Sequence, residues 1–580
     1  MNVGNEPEGL GFYLYVGKDR KNANKLRLKF QSHMRELFDY RGVYFQTHIL
    51  DGMELCVATD AESQPHGFQS TQLIGRKFDR NVTITRQKAS LTVDLDWASS
   101  IPVYYSKPLG IISTEYRILV ETSLEATKLG QIDYAGIGTL MKFGHNVSSE
   151  TMWQNIRRLQ FDETIVAKPE QELGIDKNSN KLPFGPKRNL PTNKLLAEFH
   201  ELNSEIIANS VSSMERVLIP LSSGYDSRLI LAGAANNREA CSKLVAGTYG
   251  HKFGLEVRAG QRLAEEVGIP WHHIEIDESF LSTDILKRTG IQFFSTLHMH
   301  GMYQHLFARR LLAESRSELG SGFITGFMTG VPAGQHVRKL APFFQDRERP
   351  DLFGALASFP QSGLWSDQDI SNLTRGSGWK DQVESIVSDQ RSQLPGLGPA
   401  RDSTFYDSIT RQARFIGYHP QVLGTYGPAI SPHMDPRYVK FMFELPDKLF
   451  SGRAFLEEYF SKFHPNLAKI PSNSKLISPL GRGRLLSALR LLVTAVGRMG
   501  VPPPSFFASD VNPEFDAFAY QRRGLASFDP LMRASHGDLD FEAIQMRARE
   551  MLAQKDYRKM ERFTYPQSLA FELGHLSQLD

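Results

Sequence analysis

Cysteine is nearly absent, with Cys56 and Cys241 the only two in 580 residues. Two thiols exclude a disulfide framework and a cysteine-rich zinc site. So few also fit a reducing compartment. No apolar run reaches the roughly 18 to 20 residues that a membrane span needs. The nearest approach is 485–496, bordered by Arg482, Arg484 and Arg498. It reads as a buried or half-buried helix, with a place on a membrane surface as the alternative. An excess of one charge is lacking too: a formal net charge of +3 is too small for this length to argue for a nucleic-acid partner. The first eight residues are acidic and carry no basic segment of the kind that opens a signal peptide, so a cytoplasmic location is expected. There is no internal repeat and no low-complexity run. What is present is a globular composition, 41% hydrophobic and 23% charged. The length suits about two to four domains.

Residues 1–165 read mainly as strands, expected at 10–16, 42–48, 55–59 and 82–85, with a hairpin joining 103–105 to 110–114. These segments are short, β-branched and aromatic, and Asp, Gly and Asn bound them. An antiparallel α+β domain is expected there. Residues 166–195 are polar, rich in proline and without period, and read as a linker. In 193–213, Leu195, Leu196, Phe199, Leu202, Ile206 and Ile207 share one helical face. From Val217 onward strands and helices alternate: strands at 217–221, 243–246, 272–276 and 323–325, and helices at 226–236, 256–267 and 302–314. Such alternation predicts parallel strands with helical crossovers. Pro220 conflicts mildly with a strand, and its place at the strand's end accommodates it. Beyond 340 the chain reads as mostly helical.

The densest chemistry lies at 217–231, where an apolar run breaks at Ser222, Ser223 and Gly224 and a helix pattern opens at Asp226 and Ser227. A strand that turns into a helix through small residues aims backbone N–H groups at one spot, which suits an anion. Asp226 would repel a bare phosphate, and makes sense with a divalent cation such as Mg²⁺ between them. The loop is neither a Walker A loop nor a Gly-x-Gly-x-x-Gly turn. An ordinary strand-to-helix turn favours the same residues. In a parallel sheet, ligands bind beyond the carboxyl ends of the strands. The loops expected at that edge are 222–225, 247–250 and 326–330, all rich in Gly and hydroxyl residues. His298, His300 and His305 lack the Glu of a His-Glu-x-x-His zinc motif, and read as surface or pocket-lining.

The loop resembles the pyrophosphate-binding loop of N-type ATP pyrophosphatases, Ser-Gly-Gly-x-Asp-Ser, through Ser222, Gly224, Asp226 and Ser227, with Ser223 replacing the first Gly. Together with Ser431-Pro-His-Met-Asp-Pro-Arg437 and Glu444-Leu-Pro446, it makes the chain similar to glutamine-hydrolysing asparagine synthetases. Asp94-Leu-Asp96 with Ile101-Pro-Val-Tyr-Tyr105, and Phe143-Gly144 with 152–159, resemble segments of that family's glutaminase domain. The resemblance is loose and spans most of the chain. It implies a degenerate N-terminal-nucleophile (Ntn) glutaminase-like α+β domain over 1–165. After the linker, 196–580 would be an α/β adenine-nucleotide α-hydrolase-like ATP pyrophosphatase domain with a helical C-terminal part. The implied reaction uses ATP and Mg²⁺ to adenylate a carboxylate, which an amine then attacks.

By the same resemblance, the N–H groups of Ser223, Gly224 and Tyr225 and the hydroxyls of Ser222 and Ser227 would hold pyrophosphate. Asp226 would hold the metal, and backbone at Leu221 and from Val245 to Gly247 would read adenine. Lys475 would face the leaving group, or be a solvated surface lysine. Arg228 would face the phosphates or the solvent. The departures are equally specific. Where the family has a nucleophilic cysteine directly after the first methionine, this chain has Asn2, and asparagine is no nucleophile, so glutamine hydrolysis is not expected. The family's Ser-Gly-Glu-Gly-x-Asp loop reads Thr325-Gly-Phe-Met-Thr-Gly330: Gly326 matches, Phe327 replaces Glu and Gly330 replaces Asp. His433 replaces the Phe of a Pro-Phe-x-Asp element. Branches without the cysteine, β-lactam synthetases and lasso-peptide cyclases, and a branch acting on surface-polysaccharide sugar acids, are equally compatible. The expected partners are thus a small-molecule or peptide carboxylate and an amine donor, with a homodimer left open. The alternative expectation is an ATP-binding or scaffold homologue that no longer turns over.

Overall fold

The structure, a computed structural model, describes residues 9–275, 302–472, 531–554 and a few positions between 566 and 574, apart from short stretches inside these ranges. The N-terminal part holds eleven strands: β1 (Gly9–Val16), β2 (Tyr44–Leu50), β3 (Met53–Thr59), β4 (Thr71–Gly75), β5 (Asn81–Gln87), β6 (Ser90–Leu95), β7 (Tyr104–Ser106), β8 (Ile111–Ser113), β9 (Arg157–Arg158), β10 (Glu163–Ala167) and β11 (Gly174–Lys177). Their pairings are antiparallel throughout, in the order β11-β10-β6-β5-β4-β1-β8-β7-β9, with β3 on β1 and β2 on β3. Alternate side chains of β1 and β3 go to opposite faces. Phe12, Leu14, Leu55 and Val57 meet Val82, Ile84 and Val93 of the other strands in one apolar cluster. Tyr13, Tyr15, Cys56 and Ala58 face helices α1 (Arg20–Leu37), α2 (Tyr116–Glu125) and α3 (Tyr134–Phe143). The antiparallel α+β expectation is met. The sheet also runs on into the stretch read as linker, because β10 and β11 pair from Glu163↔Lys177 to Val166↔Gly174.

The second sheet is parallel and five-stranded: β12 (Val217–Pro220), β13 (Leu244–Tyr249), β14 (Trp271–Ile274), β15 (Gly322–Ile324) and β16 (Ala429–Ile430), in the order β14-β13-β12-β15-β16. Helices α4 (Thr192–Val211), α5 (Tyr225–Ala235), α6 (Arg238–Lys243) and α7 (Leu255–Val267) precede or connect the first three strands. Both faces are covered, as a parallel sheet requires. Val217, Ile219, Leu244 and Ala246 pack with α4, α5 and α7. Leu218 and Val245 pack with helix Met302–Glu314 and with Tyr418, Val422 and Leu423. Pro220 lies at the last register position of β12, opposite Gly247, where the ladder is ending. The chain thus combines an N-terminal antiparallel sheet with a later parallel sheet and helices. Among the described residues no helix is long and apolar enough to cross a membrane. The apolar segment 485–496, Lys475, His298 and His300 lie outside the described residues.

The strand order places β13 and β14 on one side of β12 and β15 and β16 on the other. The direction of winding reverses between β12 and β15. Open α/β sheets bind ligands in the crevice outside such a reversal. The loops 221–224 and 325–330 leave the two strands that flank it.

Candidate active site

Gly224 begins α5 with no side chain to cap it, so the first-turn N–H groups are left for other acceptors. Asp226 sits in that first turn. Gly326 lets the neighbouring loop close in: a Cβ there would fall 2.6 Å from Cβ of Asp226 and 2.8 Å from its backbone carbonyl carbon. The reversal therefore brings together residues a hundred positions apart. Asp226 Oδ1 is sealed from solvent and has no hydrogen-bond partner. Burial raises the carboxyl's pKa, and the charges of Arg453 and His336 oppose that shift.

The loop partly satisfies itself. Ser222 N–H donates to the Ser227 hydroxyl at 3.1 Å, and Gly224 N–H to the Ser222 hydroxyl at 3.2 Å. Ser223 is buried, and both its N–H (2.5 Å) and its hydroxyl (3.0 Å) donate to the Glu256 carboxylate of α7. An anionic oxygen pair thus already lies on part of the predicted cradle. Leu221 N–H donates to Gly247 C=O at 2.9 Å, and Leu221 C=O accepts from the Thr248 hydroxyl at 2.8 Å. Both backbone groups of Leu221, read as adenine contacts, are committed within the protein. Gly247 also packs against Leu311, whose side chain a Cβ would strike.

Arg228 faces neither phosphates nor solvent. It is fully buried and donates to the carbonyls of Ser223 (2.8 Å), Leu467 (2.6 Å), Ile470 (2.9 Å) and Pro471 (3.3 Å). Burial lowers its pKa to about 10. It ties the loop to the segment that leads toward Lys475. Tyr225 is held by Glu457 at 3.1 Å and by the Arg453 guanidinium 4.3 Å from its ring centroid.

The loop after β15 explains its own departures. Phe327 and Met328 are buried in the core under the sheet. Met328 has a φ of 61°, a left-handed conformation unusual for a long side chain. His433 is a buried polar ring held on both sides. Asn203 Nδ2 donates to Leu229 C=O, so its Oδ1 accepts from His433 Nε2–H at 3.1 Å. Nδ1 then accepts from the Thr329 hydroxyl at 2.6 Å. Burial lowers this imidazole's pKa to about 3.

One arrangement has no motif behind it. His336 Nδ1 lies 2.7 Å from Asp407 Oδ2, and Asp407 is wholly buried. Asp407 ends helix Pro399–Asp407, where the chain passes into the π-helical turns Ser408–Ile416. Wider winding of this kind favours functional sites. Lys339 and Arg411 sit over the Phe359 ring at 4.3 and 4.6 Å, and His336 meets the same ring edge-on. Spacing gives no sign of this cluster, because its members come from three separate segments. His305, read as surface or pocket-lining, is not on the surface: it is buried and bonded to the Tyr426 hydroxyl at 3.0 Å. Among the described residues no three of His, Cys, Asp and Glu gather to hold a metal.

Fold and site together define a mixed α/β protein with an uncapped helix start and a half-buried carboxylate, one oxygen of it sealed, at the reversal of its parallel sheet. No protein-family model matches the chain, and no curated protein sequence matches it either.

Proposed function

We propose that this chain is an AMP-forming carbon–nitrogen ligase of the asparagine synthetase type without glutaminase activity. The parallel sheet would be an ATP pyrophosphatase-like domain and the antiparallel part a degenerate Ntn glutaminase-like domain. The observation that carries the proposal is Asp226: a carboxylate at the sheet's reversal, one oxygen sealed and unpartnered, beside an uncapped helix start. A lone sealed carboxylate oxygen calls for a cation or a proton. Mg²⁺ held there would neutralise charge on the phosphates. The substrate carboxylate would attack the α-phosphorus of ATP, displacing pyrophosphate, and an amine would then displace AMP from the acyl carbon.

The chain's own part is positioning and charge neutralisation. The first-turn N–H groups of α5 and the exposed Ser222 hydroxyl would bind pyrophosphate oxygens. The His336–Asp407 pair, whose imidazole is near enough for its charge to act on Asp226, would take the proton that leaves the attacking amine. Neither thiol suits glutamine hydrolysis: burial raises the pKa of Cys56, to about 11, and that of Cys241 as well, which disfavours the reactive thiolate.

Purified protein incubated with ATP, Mg²⁺ and panels of carboxylates and amines is expected to release AMP and pyrophosphate in equal amounts. Asp226→Ala is expected to abolish the release. If ATP does not bind even at millimolar concentration, the proposal is wrong. A second reading, an ATP-binding scaffold, draws on Glu256, whose carboxylate occupies the Ser223 donors. ATP bound tightly with no turnover on any substrate would favour it. Glu256→Gln is expected to tighten pyrophosphate binding at least several-fold under either reading, measured by calorimetric titration.

A further inference from the structure

The loop after β15 lacks both carboxylates that the resemblance leads one to expect, yet it still converges on a single point. A Cβ built on Gly330 would land 2.8 Å from Asp226 Oδ1 and closer still to Gln335 Oε1. Gln335 N–H donates to Gly330 C=O at 3.1 Å, closing the turn that folds the side chain back over the glycine. The amide therefore fills the volume that a side chain at 330 would take. An aspartate at 330 and the observed Gln335 conformer exclude one another. Two acceptor oxygens brought to one place repel unless something positive lies between them. One of the two, Asp226 Oδ1, is itself sealed from solvent and has no hydrogen-bond partner.

We infer that Asp226 Oδ1 and Gln335 Oε1 together ligate a divalent cation, the neutral amide standing in for the carboxylate that Gly330 does not supply. Hard cations such as Mg²⁺ and Mn²⁺ accept amide and carboxylate oxygens alike. Two protein oxygens leave most of an octahedral shell to phosphate and water oxygens, so the site binds its cation weakly alone and tightly with a polyphosphate. In this respect the inference rests on the nucleotide-binding proposal above. A single negative charge also makes the metal easier to release than a two-carboxylate site would.

The test is Mn²⁺ binding to the full chain, read as loss of the free-ion electron paramagnetic resonance signal, first with Mn²⁺ alone and then with inorganic pyrophosphate. The wild type is expected to bind Mn²⁺ weakly alone and at least tenfold tighter with pyrophosphate. Gln335→Glu restores a second carboxylate and is expected to tighten binding of Mn²⁺ alone by tenfold or more. Asp226→Asn is expected to remove that gain. Gln335→Leu, if its circular dichroism matches the wild type, is expected to lose about tenfold in the presence of pyrophosphate. If Gln335→Glu binds Mn²⁺ no better than the wild type, the inference is overturned. Gln335 would then be donating its amide N–H to Asp226 with no metal between them. Failure of the nucleotide-binding proposal reads differently: pyrophosphate would not tighten Mn²⁺ binding in any variant, while the gain from Gln335→Glu with Mn²⁺ alone would remain.

Discussion

Single side chains at this site do work that their motif positions do not suggest. Arg228 follows the loop directly, yet all of its assigned bonds go to backbone carbonyls. Arg228→Met would remove the donor that serves the carbonyls of Ser223, Ile470 and Pro471, while Leu467 C=O would keep its bond from Ile470 N–H. An unfolding free energy lower by roughly 3 kcal/mol or more is expected from urea titration, since each unsatisfied buried group costs about 1 to 3 kcal/mol. His433 makes a pH prediction. Its folded-state pKa is lowered to about 3 from an ordinary 6.5, so between those values the unfolded chain takes up a proton that the folded chain refuses. Stability is therefore present above about pH 6.5 and is lost as pH falls toward 3. His433→Phe is expected to flatten that acid limb, measured as unfolding free energy against pH. It is also expected to lower stability at pH 7, because Asn203 Oδ1 and the Thr329 hydroxyl lose their partner. The composition of the loop at 222–227 was legible in the sequence because small residues between a strand and a helix have few other uses. Glu256 and the His336–Asp407 pair were not, because an isolated acid or imidazole gains meaning only from what the fold sets beside it.

At the scale of elements, the strands and helices from 217 to 325 fall close to where hydrophobic period places them. Helix Met302–Glu314 has the bounds read from the sequence. Helix α1 was missed within the part expected to be mainly strands. Its apolar positions, Ala23, Leu26, Phe30 and Met34, keep helical spacing but are diluted by eight Lys, Arg, Asn and Gln residues between Arg20 and Gln31. Strand β11 was read as linker because Gly174 and Asp176 are poor strand formers, and only pairing with β10 holds them. The turn 330–335 shows how strictly one glycine can be required. Gly334 has a φ of 76°, and a Cβ on it would collide with the Phe450 carbonyl. Gly334→Ala must therefore displace helix Asp447–Phe450 or open the turn. A melting temperature lower by several degrees, and weaker pyrophosphate binding, are the expected results of thermal unfolding and titration.

Across the whole molecule the N-terminal part packs against the later helices rather than hanging from a tether. One apolar cluster joins α3 to the helix Trp379–Asp389 and to Leu531 and Ile544. Gly138 leaves room for Trp379, whose ring a Cβ would meet at 2.6 Å. Trp97, beyond β6, donates to Met434 C=O beside the parallel sheet at 3.2 Å. Arg414, wholly buried, donates to Ser148 C=O and to Gln160 Oε1. Calorimetry is expected to show one unfolding transition for both halves. Residues 1–190 expressed alone are expected to expose apolar surface and bind a hydrophobic dye. Two resolved transitions would show that the halves are independent.

The pairing at the middle of the parallel sheet has a mechanical side. β12 meets β13 at four register positions but meets β15 at only two, Val217↔Gly322 and Leu218↔Phe323. The crevice thus lies over the shorter of β12's two ladders. A molecule gripping both 221–224 and 326–335 acts as a staple across a weak weld. Amide protons along Val217–Leu218 and Gly322–Ile324 should then report occupancy by slower exchange, even where no ligand atom reaches them.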